Sequence, residues 1–212
     1  MKALTALRRI AKEKAPGPPS TFTELHLAKA VEIIGEKAMG RAGLARALNL
    51  GEGATRTLIG RLTDGGLVIS TRRGIWLARS GLSILKELQR SFPRGATVPK
   101  SSITVGLHNF GVLVRNGADR VRSGIEQRDA AVRAGAIGAV TVLFKNGRLY
   151  MPPVREFAVK GWKEIARTIM EIFNPKDSDA IVICGAESMQ QAEEGARAAA
   201  WTLVNQGSPK NR

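Results

Sequence analysis

Apolar side chains recur at helical spacing from Thr21 onward. Leu27, Ala30, Val31 and Ile34 follow the i, i+3, i+4, i+7 pattern of an amphipathic helix. Thr23 or Thr21 is placed to cap that helix, and Gly35 and Gly40 bracket its end. Leu44 and Leu48, one turn apart, predict a second, short helix over 41–48. The turn Asn49-Leu50-Gly51-Glu52-Gly53 follows. A third helix over 54–64 then sets Thr55, Leu58, Ile59 and Leu62 on one face, and Gly65-Gly66 stops it. Next the pattern shortens to two extended runs, 67–71 and 75–78, joined by Arg72-Arg73-Gly74 as a tight hairpin. A fourth helix over 80–92 turns Ile84, Leu85, Leu88 and Phe92 inward. Ahead of all this, Leu4, Leu7, Arg8, Ile10 and Ala11 suggest a short basic helix, broken by Ala15-Pro16-Gly17-Pro18-Pro19-Ser20.

The grammar changes after a linker-like stretch over 93–102. Strands are expected at 103–107, 110–114, 140–144, 148–151 and 180–184, with Asn146-Gly147 as a two-residue hairpin signal between the third and fourth. Helices are expected over 118–134, 162–173 and 188–204. The order β-β-α-β-β-α-β-α implies a layered mixed sheet covered by helices. The expected fold class is therefore α/β (α+β) in two domains. It comprises a basic arm over 1–20, a winged helix-turn-helix over 21–92, the linker, a mixed-sheet α/β domain over 103–206 for dimerisation or effector binding, and a tail over 207–212.

Composition narrows the function classes. No run of 18 apolar residues exists, so no membrane-spanning helix is expected. The basic N-terminus also lacks the apolar core of a signal peptide, which points to the cytoplasm. One cysteine, Cys184, excludes an internal disulfide, and it lies in an apolar run that reads as a buried strand. The two histidines, His26 and His108, have no partner at metal-ligand spacing, so neither a metal nor a cofactor is expected. The formal net charge is +15, and its distribution is uneven: residues 1–101 hold 18 Lys+Arg against 7 Asp+Glu. Such a balance attracts polyanions through counterion release.

Helix, short helix, tight turn, helix and β-ribbon is the order of a winged helix-turn-helix, whose third helix enters the major groove of double-stranded DNA. With its inner face assigned, that helix leaves Ala54, Arg56, Thr57, Gly60 and Arg61 outside. Small residues let the backbone approach, and guanidinium groups bond guanine edges or phosphates. Arg72 and Arg73 at the hairpin tip are placed to hold a neighbouring backbone, and Arg41 joins a helix N-terminus in holding a phosphate. The opposing view is that these arginines are solvated surface on a protein-interaction module. The stretch from Leu44 to Val68, with its junction Leu62-Thr63-Asp64-Gly65-Gly66-Leu67-Val68, resembles the winged-helix domains of prokaryotic transcription regulators.

Two features of the second half suggest a ligand. Counting from Ile125, the inward positions of its helix are 128, 129 and 132, which places Arg128 and Asp129 toward the core. There Arg128 would hold an anion with Asp129 or Glu126 orienting it. The alternative is an ion pair at a domain or subunit interface. Gly185, Glu187 and Ser188 lie where a strand feeds a helix N-terminus, a common ligand position in α/β sheets, though an ordinary capped turn reads equally well. In the last helix Ala192, Ala196, Ala199, Ala200 and Leu203 share a face suited to core packing or a dimer seam. No catalytic constellation is legible.

Gly124-Ile125-Glu126-Gln127-Arg128-Asp129-Ala130-Ala131, Gly135-Ala136 and Lys145-Asn146-Gly147-Arg148-Leu149-Tyr150-Met151-Pro152 resemble an archaeal two-domain family over roughly residues 22–206. That family joins a winged helix to an α/β domain of unknown function. The resemblance implies the architecture and no mechanism. The expected function is a DNA-binding transcription regulator, a homodimer with a small-molecule effector as a further partner. The alternatives are a metabolite-acting enzyme with an appended winged helix and an architectural protein that binds DNA without sequence preference.

Overall fold

Thr23, with extended backbone, starts the first long helix of the core: its backbone N–H donates to His26 Nδ1 at 3.1 Å, closing the first turn. The structure, a computed structural model, describes residues 2–11, 21–152 and 160–205. The expected break over 15–20 and the tail over 207–212 lie outside them. The chain forms two units, Met1–Gln89 and Arg90–Arg212.

In the N-terminal unit, α1 (Lys2–Ala11) packs on α2 (Glu24–Glu36), Leu7 and Ile10 are buried, and Arg8 Nε pairs with Glu24 Oε2 at 3.2 Å. The start of the expected basic arm is thus part of the core. Leu27, Ala30, Val31 and Ile34 are buried on α2 as their spacing predicts. Helix α3 (Arg41–Leu48) buries Leu44 and Leu48, and Asn49 ends it in the left-handed region at φ 52°. Helix α4 (Glu52–Asp64) buries Thr55, Leu58 and Leu62. The Thr55 hydroxyl is satisfied inside by donating to the Gly51 carbonyl at 3.0 Å. Strands β1 (Val68–Thr71) and β2 (Gly74–Leu77) pair antiparallel, and Met39 adds a single bridge to Ile75. Helix α5 (Arg79–Ser91) closes the unit with Ile84 and Leu88 inside.

The C-terminal unit is built on one five-stranded sheet. Its strands are β3 (Arg94–Thr97), β4 (His108–Val114), β5 (Gly138–Lys145), β6 (Arg148–Tyr150) and β7 (Asp179–Ala186), in the order β3-β4-β7-β5-β6. Every pairing is antiparallel, which corrects the expected mixed sheet. Asn146 and Gly147 make the two-residue hairpin between β5 and β6, both at positive φ. Central β7 is buried along its whole length. One face, with Ile181, Ile183, Val142 and Leu113, packs on Ile165, Ile169 and Phe173 of α7 (Trp162–Phe173). The other face meets α6 (Ile125–Arg133) and α8 (Met189–Asn205), whose Ala192, Ala196, Ala199 and Ala200 are fully buried. That alanine face serves the core, and the close approach is marked by Ala136 Cβ, which lies 2.6 Å from where a Cβ on Gly195 would stand.

Three expectations are corrected. The presumed linker contains edge strand β3. Residues 103–107 form no strand: Ser101 and Thr104 close a turn by reciprocal bonds of 2.8 and 3.0 Å, and only Ile103 of the run is buried. The expected helix over 118–134 is a 3-10 turn, Ala118–Arg120, followed by α6; Gly124 at φ 82° interrupts it.

Candidate nucleic-acid interface

Four arginines of the N-terminal unit converge on one cleft. It has a volume of about 390 Å³ and lies between the start of α3, the middle of α4 and the β1–β2 turn. Arg41, Arg56, Arg72 and Arg73 line it with Gly40, Ile59, Ser70, Thr71, Gly74 and Ile75, and none of the ten is acidic. All four arginines are exposed, and no ion pair among the described residues engages them. Like charges so gathered raise the local potential and favour an anion between them.

Local structure explains the gathering. Asn49 turns the chain between α3 and α4, while the bridge from Met39 to Ile75 holds the hairpin beside the start of α3 (Ile75 N–H to Met39 carbonyl, 3.0 Å). The hairpin tip is fixed by the Thr71 hydroxyl, which donates to the Gly74 carbonyl at 3.0 Å and accepts the Arg73 N–H at 3.2 Å. Arg72 and Arg73 therefore project from an ordered turn.

The outer stripe of α4 is Gly53, Arg56, Thr57 and Gly60, all exposed. Open space surrounds the Cβ positions that Gly53 and Gly60 lack. Thr57 keeps its methyl and oxygen on this stripe while donating to the Gly53 carbonyl at 3.1 Å. Ala54 is half-buried at its margin. Glu52 opens the helix and lines a second cleft with Arg46 and Asn49, so acid and base meet there and anions are favoured on the hairpin side instead.

Arg61, expected on this outer face, is placed otherwise. Its Nη1 donates to the Ala11 carbonyl at 2.7 Å, and its guanidinium lies 5.0 Å over the Phe22 ring. Position 61 falls on the flank of α4 that α1 covers, and the residue holds the fold together. Ser70, Thr71 and Gly40 were missed by sequence reasoning; Thr71 was legible only as a strand end, and Gly40 only as a helix stop.

The second expected site is not assembled. Glu126 and Arg128 are exposed on α6 and Asp129 is half-buried, whereas the inward positions are Gln127 and Ala131, so the expected phase of that helix is corrected. Gln127 is buried with a partner, donating to Thr202 Oγ1 at 2.7 Å. Arg128 and Asp129 pair with each other at 3.7 Å. Gly185 is closed off by the Gly106 backbone, whose N would lie 2.4 Å from a Cβ there. Ser188 caps α8, accepting the Gln191 N–H at 3.3 Å, and Glu187 is exposed beside it. Desolvation pushes the Cys184 thiol on β7 up to about 12, which leaves it protonated and unreactive. Among the described residues no three His, Cys, Asp or Glu side chains are placed to hold a metal, and no helix is long and apolar enough to cross a membrane.

Comparison with known proteins follows the two-unit division. Residues 28–83 match a family model described as PH0730-like, N-terminal domain, and residues 105–203 match one described as a domain of unknown function, DUF4443. Among solved structures, the chain is similar to hypothetical protein PH0730 from Pyrococcus horikoshii OT3. The identity is 27% over 84% of this chain and 91% of that one, with a TM-score of 0.65. No curated protein matches.

Proposed function

We propose that the N-terminal unit is a winged helix-turn-helix that binds double-stranded DNA. In this reading α4 lies in the major groove and the β1–β2 hairpin is the wing. The observation that carries it is the acid-free cleft bounded by Arg41, Arg56, Arg72 and Arg73. Phosphates seat against Arg41, Arg72 and Arg73, while Arg56 and Thr57 face base edges across a stripe smoothed by two glycines. The half of the chain that holds this cleft also carries most of the excess charge. A transcription regulator is the role we assign, with the C-terminal unit joining two copies, because one such module reads too few base pairs for tight specific binding.

Selection from a random pool of duplex oligonucleotides with the full-length protein tests the reading. A recovered consensus that competes at rising salt supports a regulator. A second reading, sequence-independent binding, gains from the placement of Arg61, which leaves only Arg56 and Thr57 on α4 to read bases. Enrichment of no sequence, with affinity that vanishes uniformly as salt rises, selects that reading. Absence of binding to any duplex at low salt overturns both.

A further inference from the structure

The outer face of α6 carries a pattern that its own unit leaves uncovered. Ile125 and Val132, seven residues apart, are 56% and 48% exposed. At 3.6 residues per turn, Val132 stands within roughly 20° of Ile125 around the axis, with Arg128 roughly 60° to one side and Asp129 roughly 40° to the other. The stripe is apolar along its middle, cationic on one flank and anionic on the other. Within one copy the contact of Arg128 with Asp129 is long, at 3.7 Å, and joins adjacent residues that splay apart on a helix, so it stabilises little. Ile137, four residues past the end of α6, is a further exposed apolar side chain.

We infer that α6 is the seam of a homodimer, in which the α6 helices of two copies lie side by side and point the same way about a two-fold axis parallel to them. Rotation about that axis sets the left flank of one helix opposite the right flank of the other. Ile125 meets Ile125 and Val132 meets Val132 along the middle. Arg128 of one copy faces Asp129 of the other on both sides. The antiparallel arrangement sets Arg128 against Arg128 and Asp129 against Asp129, and like-charge repulsion disfavours it. This self-complementarity selects a second copy over an unrelated partner, as an isologous interface requires. A nine-residue helix is only about 13 Å long. A contact of that length buries less than the roughly 800 Å² per partner of a standard interface, so the association is weak and reversible. The seam stands whether or not the N-terminal unit binds DNA.

Sedimentation equilibrium of the full-length protein over a concentration series tests it. The native protein is expected to dimerise reversibly, and Val132→Asp to weaken the dimer at least about tenfold by placing a carboxylate in the seam. Arg128→Asp alone and Asp129→Arg alone each set like charges on both flanks and weaken self-association. An equimolar mixture of these two variants is expected to regain a dimer near native strength, because the acidic flanks of one then face the basic flanks of the other. Circular dichroism checks that each variant folds. A native protein that stays monomeric at every concentration overturns the inference. So does a dimer indifferent to Val132→Asp, or a mixture no tighter than its two components. Duplex binding by the same variants, scored apart, reports on the DNA reading and not on the seam.

Discussion

Arg61 donates from Nη1 to the carbonyl oxygen of Ala11 at 2.7 Å, joining the last turn of α4 to the last residue of α1. The acceptor is one of the carbonyls a helix leaves unpaired at its C-terminus, where a cation is also favoured by the helix dipole. The same guanidinium covers the Phe22 ring at 5.0 Å. Two arginines five residues apart on α4 thus do different work: Arg61 closes the fold, and Arg56 faces the open cleft.

Arg61→Ala is expected to destabilise the N-terminal unit by about 1.5–3 kcal/mol, from a lost charged hydrogen bond and a lost cation–π contact. For a unit of this size that lowers the melting temperature by roughly 6–24 °C. Arg61→Lys keeps the charge without the planar fork and falls between. Thermal unfolding by circular dichroism measures both. Duplex affinity taken well below the transition should change less than in Arg56→Ala; unchanged melting with abolished binding would return Arg61 to the interface.

Arg56→Ala and the pair Arg72→Ala with Arg73→Ala separate reading from holding. Loss of Arg56 should flatten base preference at one position by about 1–3 kcal/mol with modest loss elsewhere. Loss of both hairpin arginines should weaken binding to every duplex alike and reduce the slope of log affinity against log salt by about 2. Fluorescence anisotropy across a salt series gives the slopes, and an unaltered slope would take the hairpin out of contact.

What the sequence made legible was local, and what it hid was tertiary. The helices of the N-terminal unit follow from strict periodicity at Leu27, Ala30, Val31 and Ile34 and at Leu44 and Leu48. The β5–β6 turn follows from Asn146-Gly147, since both residues tolerate positive φ. The role of Arg61 depends on α1 folding back fifty positions along the chain, which no periodicity reports. Helix α6 has the expected period with the opposite phase. Ile125 and Val132 look like core, yet Ala131 allows closer packing on α8 and Gln127 finds Thr202. Ile103, Val105 and Leu107 imitate an alternating strand, but the Ser101–Thr104 turn takes the backbone hydrogen bonds the strand would need.

Asp179 is the buried polar anchor of the C-terminal unit. Its carboxylate pairs with Arg115 and accepts N–H groups from Asn116 at 3.0 Å and Lys176 at 2.8 Å. It is 1% exposed, so replacing it leaves two donors and a half-buried guanidinium without an acceptor. Asp179→Ala is expected to lose about 3–5 kcal/mol of stability. Asp179→Asn, which keeps one acceptor oxygen, should lose less. Urea titration ranks them, and a loss under about 1 kcal/mol for the alanine variant would show that water replaces the carboxylate.

Cys184 offers a test of how tightly β7 is sealed. Burial alone lifts its thiol from an ordinary 9.0 to about 12, because no cation stands by to stabilise a thiolate. Between those two values the folded protein retains a proton that the unfolded chain has released, so unfolding is favoured as pH rises. Stability should therefore be insensitive to this group below about pH 9 and then fall by up to roughly 1.4 kcal/mol per pH unit until the folded thiol itself ionises. Cys184→Ala is the necessary reference, because it isolates the contribution of the thiol itself. The difference in unfolding free energy between native protein and this variant should shift in the variant's favour from pH 9 to 11. A thiol reagent at pH 8 should label the native chain only as fast as it unfolds. Rapid labelling without denaturant, or a pH-independent difference between the two proteins, would mean that water reaches the strand from the α8 side.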